Sequence, residues 1–272
     1  MADPQPPSPV DEPAPGPEEV LDRQAPPPGR TTAYGPDPAQ VYDVRLPTRA
    51  REDVTVVVVH GGFWRAAYDR THAACQAQAF ADAGWPVAVV EYRRTGMPGG
   101  GWPGTADDVA AAVAAVRADP DLPDRLVLVG HSAGGHLVTW AASQFWGADL
   151  AGVVSLAGVV DLQVAFAMRL GDGAVEAFLG GTPAKRREAY AAADPALHAP
   201  LAPVVLVHGT DDDVVPPVVS RSYLEKVAAL AGTGPDRPVT LREVAGCEHY
   251  GLIDPGHPAF TEVLAAVSGI AS

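Results

Sequence analysis

The chain has 272 residues, 47% of them hydrophobic and 19% charged, enough to bury a core and a closed pocket in one large α/β domain or two smaller ones. Lys and Arg number 19 against 33 Asp and Glu, a net charge of -14. A surface that acidic repels phosphate backbones and anionic lipid, so neither nucleic acid nor membrane is an expected partner. The two cysteines, Cys75 and Cys247, form no CxxC pair. That excludes a disulfide framework and a thiolate zinc site, and two reduced, buried thiols are expected. The N-terminus lacks a basic start followed by an apolar run, and no stretch approaches the ~20 apolar residues of a membrane helix. The expected compartment is the cytoplasm.

In chain order, residues 1–38 come first and hold twelve of the 28 prolines, with Asp11, Glu12, Glu18, Glu19 and Asp22 among them. Runs such as Pro26-Pro27-Pro28 lack backbone donors and favour extended polyproline II, and almost nothing there builds a core. Residues 1–40 are expected to be a disordered acidic tail, with a docking ligand for a PxxP-binding partner as the minority reading. From Val41 onward, β-branched runs alternate with Ala-rich stretches. Strands are expected over Val54–Val59, Val87–Tyr92, Leu126–Val129, Val153–Leu156, Val204–Val207 and Val239–Val244. Helices are expected over Thr71–Ala83, Ala106–Ala118, Gly134–Phe145, Val218–Ala231 and Pro258–Ile270. Asp107 and Asp108 stand in the first turn of the second helix, where negative charge suits the dipole. Near-continuous apolar strands alternating with helices imply an α/β domain over residues 41–272, its mostly parallel sheet covered on both faces. Leu162–Leu201 breaks the alternation with Gly171, Gly173, Gly180, Gly181 and the basic run Lys185-Arg186-Arg187. It reads as a small cap insertion of short helices, overhanging the carboxyl ends of the strands where open α/β sheets bind ligands.

Chemistry concentrates in three places. Gly130-His131-Ser132-Ala133-Gly134 fits G-x-S-x-G between a predicted strand and a predicted helix. A sharp turn there presents the serine hydroxyl, and the helix N-terminus favours a developing oxyanion. The competing reading, a phosphate-cradling turn, lacks both G-x-G-x-x-G spacing and a Walker lysine. His60-Gly61-Gly62-Phe63-Trp64 follows the strand Val54–Val59, and its glycines allow close approach of the backbone. Gly62, Phe63 and Ala133 are therefore the candidate oxyanion N–H donors. A serine nucleophile needs a histidine base and an orienting carboxylate, in the chain order serine, acid, histidine. His136 lies on the nucleophile's own helix, His208 precedes the acid candidates, and His257 beside Pro258 suits a surface or capping role. Of the two that remain, His198 and His249, the candidate is His249, in the loop just past the last strand, which can reach back over the sheet edge. The acid belongs to Asp211-Asp212-Asp213, and position alone does not choose among the three.

Together these stretches resemble the α/β-hydrolase superfamily over nearly all of residues 41–270. Laid over His208–Pro216, the superfamily pattern H-G-x-x-D-x-x-V-P implies Asp212 as the acid. His60-Gly61-Gly62-Phe63-Trp64 is similar to the H-G-G-x-W loop of the kynurenine formamidase (arylformamidase) branch and its esterase relatives. Gly130 to Leu137 is close to that branch's G-H-S-A-G-x-H-L, and Ala157 to Leu162 to its S-G-V-x-D-L. Where the branch has D-H-F, this chain has Glu248-His249-Tyr250, which keeps an aromatic beside the base.

The expectation is a metal-free serine hydrolase that needs no cofactor. Ser132, Asp212 and His249 would be catalytic, and Gly62, Phe63 and Ala133 would form the oxyanion hole. The partner is a small-molecule ester or amide: a short carboxylic ester as the broader class, an aryl formamide such as N-formylkynurenine as the narrower. Phe63, Trp64, Tyr92, Trp102 and Tyr250 are the rings available to a substrate, with Trp64 and Tyr250 as the chosen contacts. A peptidase is disfavoured, since the chain has no room for the large propeller of related peptidases. A non-catalytic binding or scaffold protein on the same fold is the reading from another class. The sequence leaves the oligomeric state open, a homodimer included.

Overall fold

The computed structural model describes residues 16–49, 53–230 and 238–272. Its strands are β1 (Arg30–Ala33), β2 (Val41–Arg45), β3 (Thr55–Val59), β4 (Val87–Val90), β5 (Leu126–His131), β6 (Gly152–Leu156), β7 (Val204–Gly209) and β8 (Val239–Val244). Its helices are α1 (Ala74–Asp82), α2 (Gly104–Arg117), α3 (Ala133–Ala142), α4 (Leu162–Ala167), α5 (Leu170–Leu179), α6 (Arg187–Ala193), α7 (Val218–Ala229) and α8 (Phe260–Ala271). One sheet contains the strands in the order β1-β2-β4-β3-β5-β6-β7-β8. From β4 to β8 all pairings are parallel, while β1 and β2 add an antiparallel margin.

Alternation along each strand divides its residues between two cores. Val57 and Val59 of β3 pack with α2, α3 and α7 on one face; Val56 and Val58 pack with α1 and α8 on the other. Because both faces are covered, every residue of β3, β4, β5 and β6 is buried, which is why these strands read as unbroken apolar runs. At the sheet's edge β8 is only partly buried, in keeping with its Thr240, Arg242 and Glu243. No helix among the described residues is long and apolar enough to cross a membrane.

The chain passes from β3 to β4 on one side and returns to β5 on the other. The loops after β3 and β5 therefore part at a switch point, where open α/β sheets form crevices. Val59 is in register with Gly130, so the His60 loop starts beside the Ser132 turn. The loops after β7 and β8 are likewise neighbours, with Gly209 in register with Val244.

The expected elements are present with shifted ends, and two expectations need correction. Residues 1–15 of the predicted tail lie outside the described residues, but residues 16–40 are ordered into the fold. A short 3-10 helix (Pro17–Asp22) buries Val20, and β1 pairs with β2. Proline content hid this, because the segment is held by distant partners: Val20 is buried, Arg23 pairs with Asp254, and the Pro26 carbonyl accepts from Arg45. The margin strands carry little sequence signal because β1 (Arg-Thr-Thr-Ala) and β2 (Val-Tyr-Asp-Val-Arg) are only four and five residues long and neither is a continuous apolar run. The insertion does form short helices between β6 and β7. Asp107 stands in the first turn of α2, whereas Asp108 is buried against Arg93 and Gln40 and serves as a tether.

Candidate active site

Ser132 joins β5 to α3 with φ 55° and ψ -116°, a conformation that costs a residue with a Cβ on the order of 1–3 kcal/mol. Tight packing enforces it. A Cβ at Gly130 would collide with the Gly134 carbonyl, and one at Gly134 with the Val59 carbonyl, so both flanking positions must be glycine. The Ser132 N–H donates to the Leu156 carbonyl at 2.8 Å, tying the turn to β6. Ala133 opens α3, so its N–H has no acceptor within the helix.

Beside this turn, Gly62, Phe63 and Trp64 all have positive φ, at 102°, 48° and 55°. A Cβ on Gly61 would come within 2.9 Å of the His131 carbonyl, so the loop lies flush against the serine turn. A buried network holds it. His60 stacks on Tyr92 at 4.3 Å, and Tyr92 donates its hydroxyl to the His60 carbonyl at 2.7 Å. His60 Nε2 meets Glu91 Oε1 at 3.0 Å, and Glu91 also receives Arg94 at 3.1 Å and the Arg70 N–H at 3.0 Å. Burial alone would raise the Glu91 carboxyl, but His60, the Arg70 N–H and Arg94 outweigh it and hold it low. The Glu91–Arg94 support was not anticipated. Its only signal was the charged run Glu91-Tyr92-Arg93-Arg94 at the end of the predicted strand Val87–Tyr92.

The loops after β7 and β8 bring Asp212 and His249 together. His249 Nδ1–H donates to Asp212 Oδ2 at 2.7 Å. Asp212 Oδ1 accepts the N–H groups of Val214 and Val215 at 3.0 and 2.8 Å, and His208 Nε2 lies 3.4 Å from Oδ2. Burial favours the neutral acid, yet His208, His249 and the backbone donors overcome it and hold Asp212 far below the usual carboxylate range. A carboxylate fixed on Nδ1 leaves His249 Nε2 as the ring's free acceptor. The triple aspartate is thereby resolved, since Asp211 and Asp213 are exposed. His131 Nε2–H donates to the His249 carbonyl at 3.0 Å, and the two rings lie 4.5 Å apart. Burial and the neighbouring His249 keep the His131 ring neutral. Its role also went unpredicted, position x of G-x-S-x-G giving no sign of it.

Ser132 and His249 line one cavity of about 150 Å³, together with Gly62, Phe63, Tyr68, Tyr250 and, from the N-terminal segment, Leu21. Burial pushes His72, on the same wall, down to about 3. Phe63 and Tyr250 thus stand where substrate contacts were expected. Trp64 does not: it is fully buried, stacked on Phe178 at 4.5 Å and edge-on to His136, so its expected contact role is corrected to a core one. Left-handed backbone at Phe63 and Trp64 sends one ring to the cavity and the next into the core. Tyr92 is likewise buried, and Trp102 packs on Trp140 and Phe178. His136 donates Nε2–H to the Ala193 carbonyl, and His257 Nδ1 accepts the Ala259 N–H just before α8. Among the described residues, no group of three or more His, Cys, Asp or Glu side chains is arranged to hold a metal ion.

The chain is similar to several known proteins. The chain is 28% identical over 253 residues to esterase LipC of Mycobacterium tuberculosis, covering 83% of this chain and 60% of LipC. It is 26% identical to a second protein of that organism, named "Probable carboxylic ester hydrolase LipM", over 75% of this chain and 51% of LipM. The chain thus spans a little over half the length of these relatives. Esterase B from Lactobacillus Rhamnosis superposes with a TM-score of 0.75 at 17% identity, covering 93% of this chain and 89% of that one. That likeness carries the fold, and the parallel sheet with helices on both faces is an α/β-hydrolase fold. The BD-FAE family model matches residues 42–227, from β2 through most of α7, and the chain belongs to the BD-FAE family.

Proposed function

We propose that this protein is a serine hydrolase that cleaves small carboxylic esters through an acyl-enzyme. One observation carries the reading. A serine on a strained strand-to-helix turn shares a 150 Å³ cavity with a histidine whose far nitrogen is held by a buried carboxylate at 2.7 Å. The esterase names of the two mycobacterial relatives support it. His249 Nε2 takes the proton from Ser132 as Oγ attacks the ester carbonyl carbon. The carbonyl π-electrons move onto oxygen, which the N–H groups of Gly62, Phe63 and Ala133 receive. Collapse of this intermediate expels the alkoxide, which takes the proton from His249. Water, deprotonated by the same nitrogen, then releases the acid and restores Ser132. Asp212 stays ionised throughout, opposite the imidazolium that forms twice per turnover.

The cavity size favours a short acyl chain. Its aromatic lining by Phe63, Tyr68 and Tyr250 also fits a narrower substrate, a formyl group on an aromatic amine, as the H-G-G-x-W resemblance implies. Hydrolysis of p-nitrophenyl acetate and N-formylkynurenine, measured side by side, separates the two. In both assays Ser132→Ala is expected to be inactive and to lose covalent labelling by a fluorophosphonate. Labelling that survives in Ser132→Ala would falsify the serine assignment.

A further inference from the structure

We infer that Arg65 selects substrates bearing an anionic group, a carboxylate in the simplest case, so the natural substrate is an acidic ester or amide. This rests on the proposed hydrolase function and adds the charge class of its substrate. The charge balance of the cavity carries the inference. In a chain of net charge -14, the cavity holding Ser132 and His249 has, among the described residues, no Asp or Glu on its wall and one arginine, Arg65. Burial holds His72 and His131 on that wall below their ordinary values, so neither ring brings a charge at neutral pH.

Arg65 is also uncommitted in a way that its neighbours are not. Arg70 is paired with Asp43 at 2.8 Å and Arg94 with Glu91 at 3.1 Å. Arg65 pairs with no carboxylate among the described residues. One terminal nitrogen donates to the Gly171 carbonyl, and the guanidinium carbon lies 5.8 Å from the Phe63 ring centroid. The side chain is half-buried, so these two contacts fix its position while leaving most of its five N–H donors open. A positioned guanidinium with free donors is matched in shape and charge by a carboxylate. The field elsewhere in the site gives the substrate a direction. Glu248 Oε2 accepts the Tyr250 N–H at 2.6 Å, so an anionic group is disfavoured on that side and favoured at Phe63 and Arg65.

The test uses two matched ester pairs, because the anionic group can lie on either side of the scissile bond. One pair is 4-acetoxybenzoate and 4-acetoxybenzamide; the other is mono-p-nitrophenyl succinate and p-nitrophenyl butyrate. The readout is the ratio of kcat/KM for the anionic ester to that for its neutral twin, compared between wild type and Arg65→Gln so that intrinsic reactivities cancel. In at least one pair Arg65→Gln should lower this ratio about tenfold or more, the scale of a hydrogen bond to a charged group. Arg65→Lys should restore part of it, and added NaCl should shrink the wild-type preference. Glutamine keeps a donor for the Gly171 carbonyl, so a purely structural role would lower both esters alike and leave the ratio unmoved. An unchanged ratio in both pairs overturns the inference while the hydrolase reading stands. No turnover of any ester by wild type removes both together. A measurement on wild type alone covers the case of a variant that does not fold. Benzoate should compete with p-nitrophenyl acetate more strongly than benzamide does, and equal inhibition overturns the inference.

Discussion

Asp194, in the run-up to β7, and Asp212, in the loop after it, are equally enclosed, at 0% and 4% exposure, and behave in opposite ways. Asp212 has both oxygens engaged, one by two backbone N–H groups and the other by His249 and His208, and it is held strongly acidic. Asp194 has one oxygen engaged, by the Leu162 and Ala196 N–H groups at 3.2 and 3.1 Å, and the other without a partner. Burial and the nearby Asp161 carboxylate raise it to about 6. The cation in that cluster belongs to Asp161, which takes Lys226 at 2.6 Å and the Ser222 hydroxyl at 2.7 Å. Enclosure is common to both carboxyls, so it is the partners of the second oxygen that decide the sign of the shift. A strongly shifted carboxyl therefore does not by itself mark the chemistry of this fold: the raised one joins α4 to the segment before β7, while the lowered one faces the candidate base.

Three substitutions probe that contrast, from the largest expected effect to the smallest. Asp212→Asn keeps the shape but removes the charge opposite His249 and can present an N–H to Nδ1, favouring the wrong tautomer. Turnover of p-nitrophenyl acetate should fall by about four orders of magnitude. A drop of less than tenfold would show that Asp212 is only a second structural aspartate. Lys226→Met strips Asp161 of its cation. Because the lysine is about one-third exposed, the cost should be on the order of 2 kcal/mol rather than that of a fully buried pair, read from urea unfolding at pH 7. A change below ~0.5 kcal/mol would break the account of the cluster.

Asp194→Asn works the other way. A carboxyl raised to about 6 binds its proton more tightly in the folded state than in the unfolded one. Its stabilising contribution is complete below the unfolded value near 3.8 and is lost as pH rises through about 6. Asparagine removes that loss and can offer an N–H to Asp161. The variant should be about 1–2 kcal/mol more stable than wild type at pH 8, with the difference shrinking toward pH 4. A variant that is less stable at pH 8, or one whose offset does not change with pH, would refute the raised Asp194.

The parts legible in sequence were those fixed by local pattern or short spacing. Valine runs marked strands buried on both faces, and G-x-S-x-G marked a turn that only glycines at positions 130 and 134 permit. What escaped was whatever depends on packing between distant segments. Nothing local to Trp64 says that its ring turns to Phe178 while that of Phe63 turns to the cavity. Nor did the proline-rich start show that Val20 is buried or that Leu21 reaches the cavity wall. Glu91 and His131 carry no local signal because each acts on a residue that the sheet brings near, and Arg94 because it acts through Glu91.

The sequence alone determined the alternation of strand and helix, the strained turn at Ser132 and the short list of candidate acids and bases. These follow from periodicity, chirality and backbone sterics, all of which act over a few residues. The tertiary structure decided which aspartate meets His249, which aromatic faces the cavity and which arginine stays uncommitted there. Those outcomes depend on sheet register and strand order, which bring together residues 60, 132, 212 and 249 from four separate loops, and no local pattern encodes such distances.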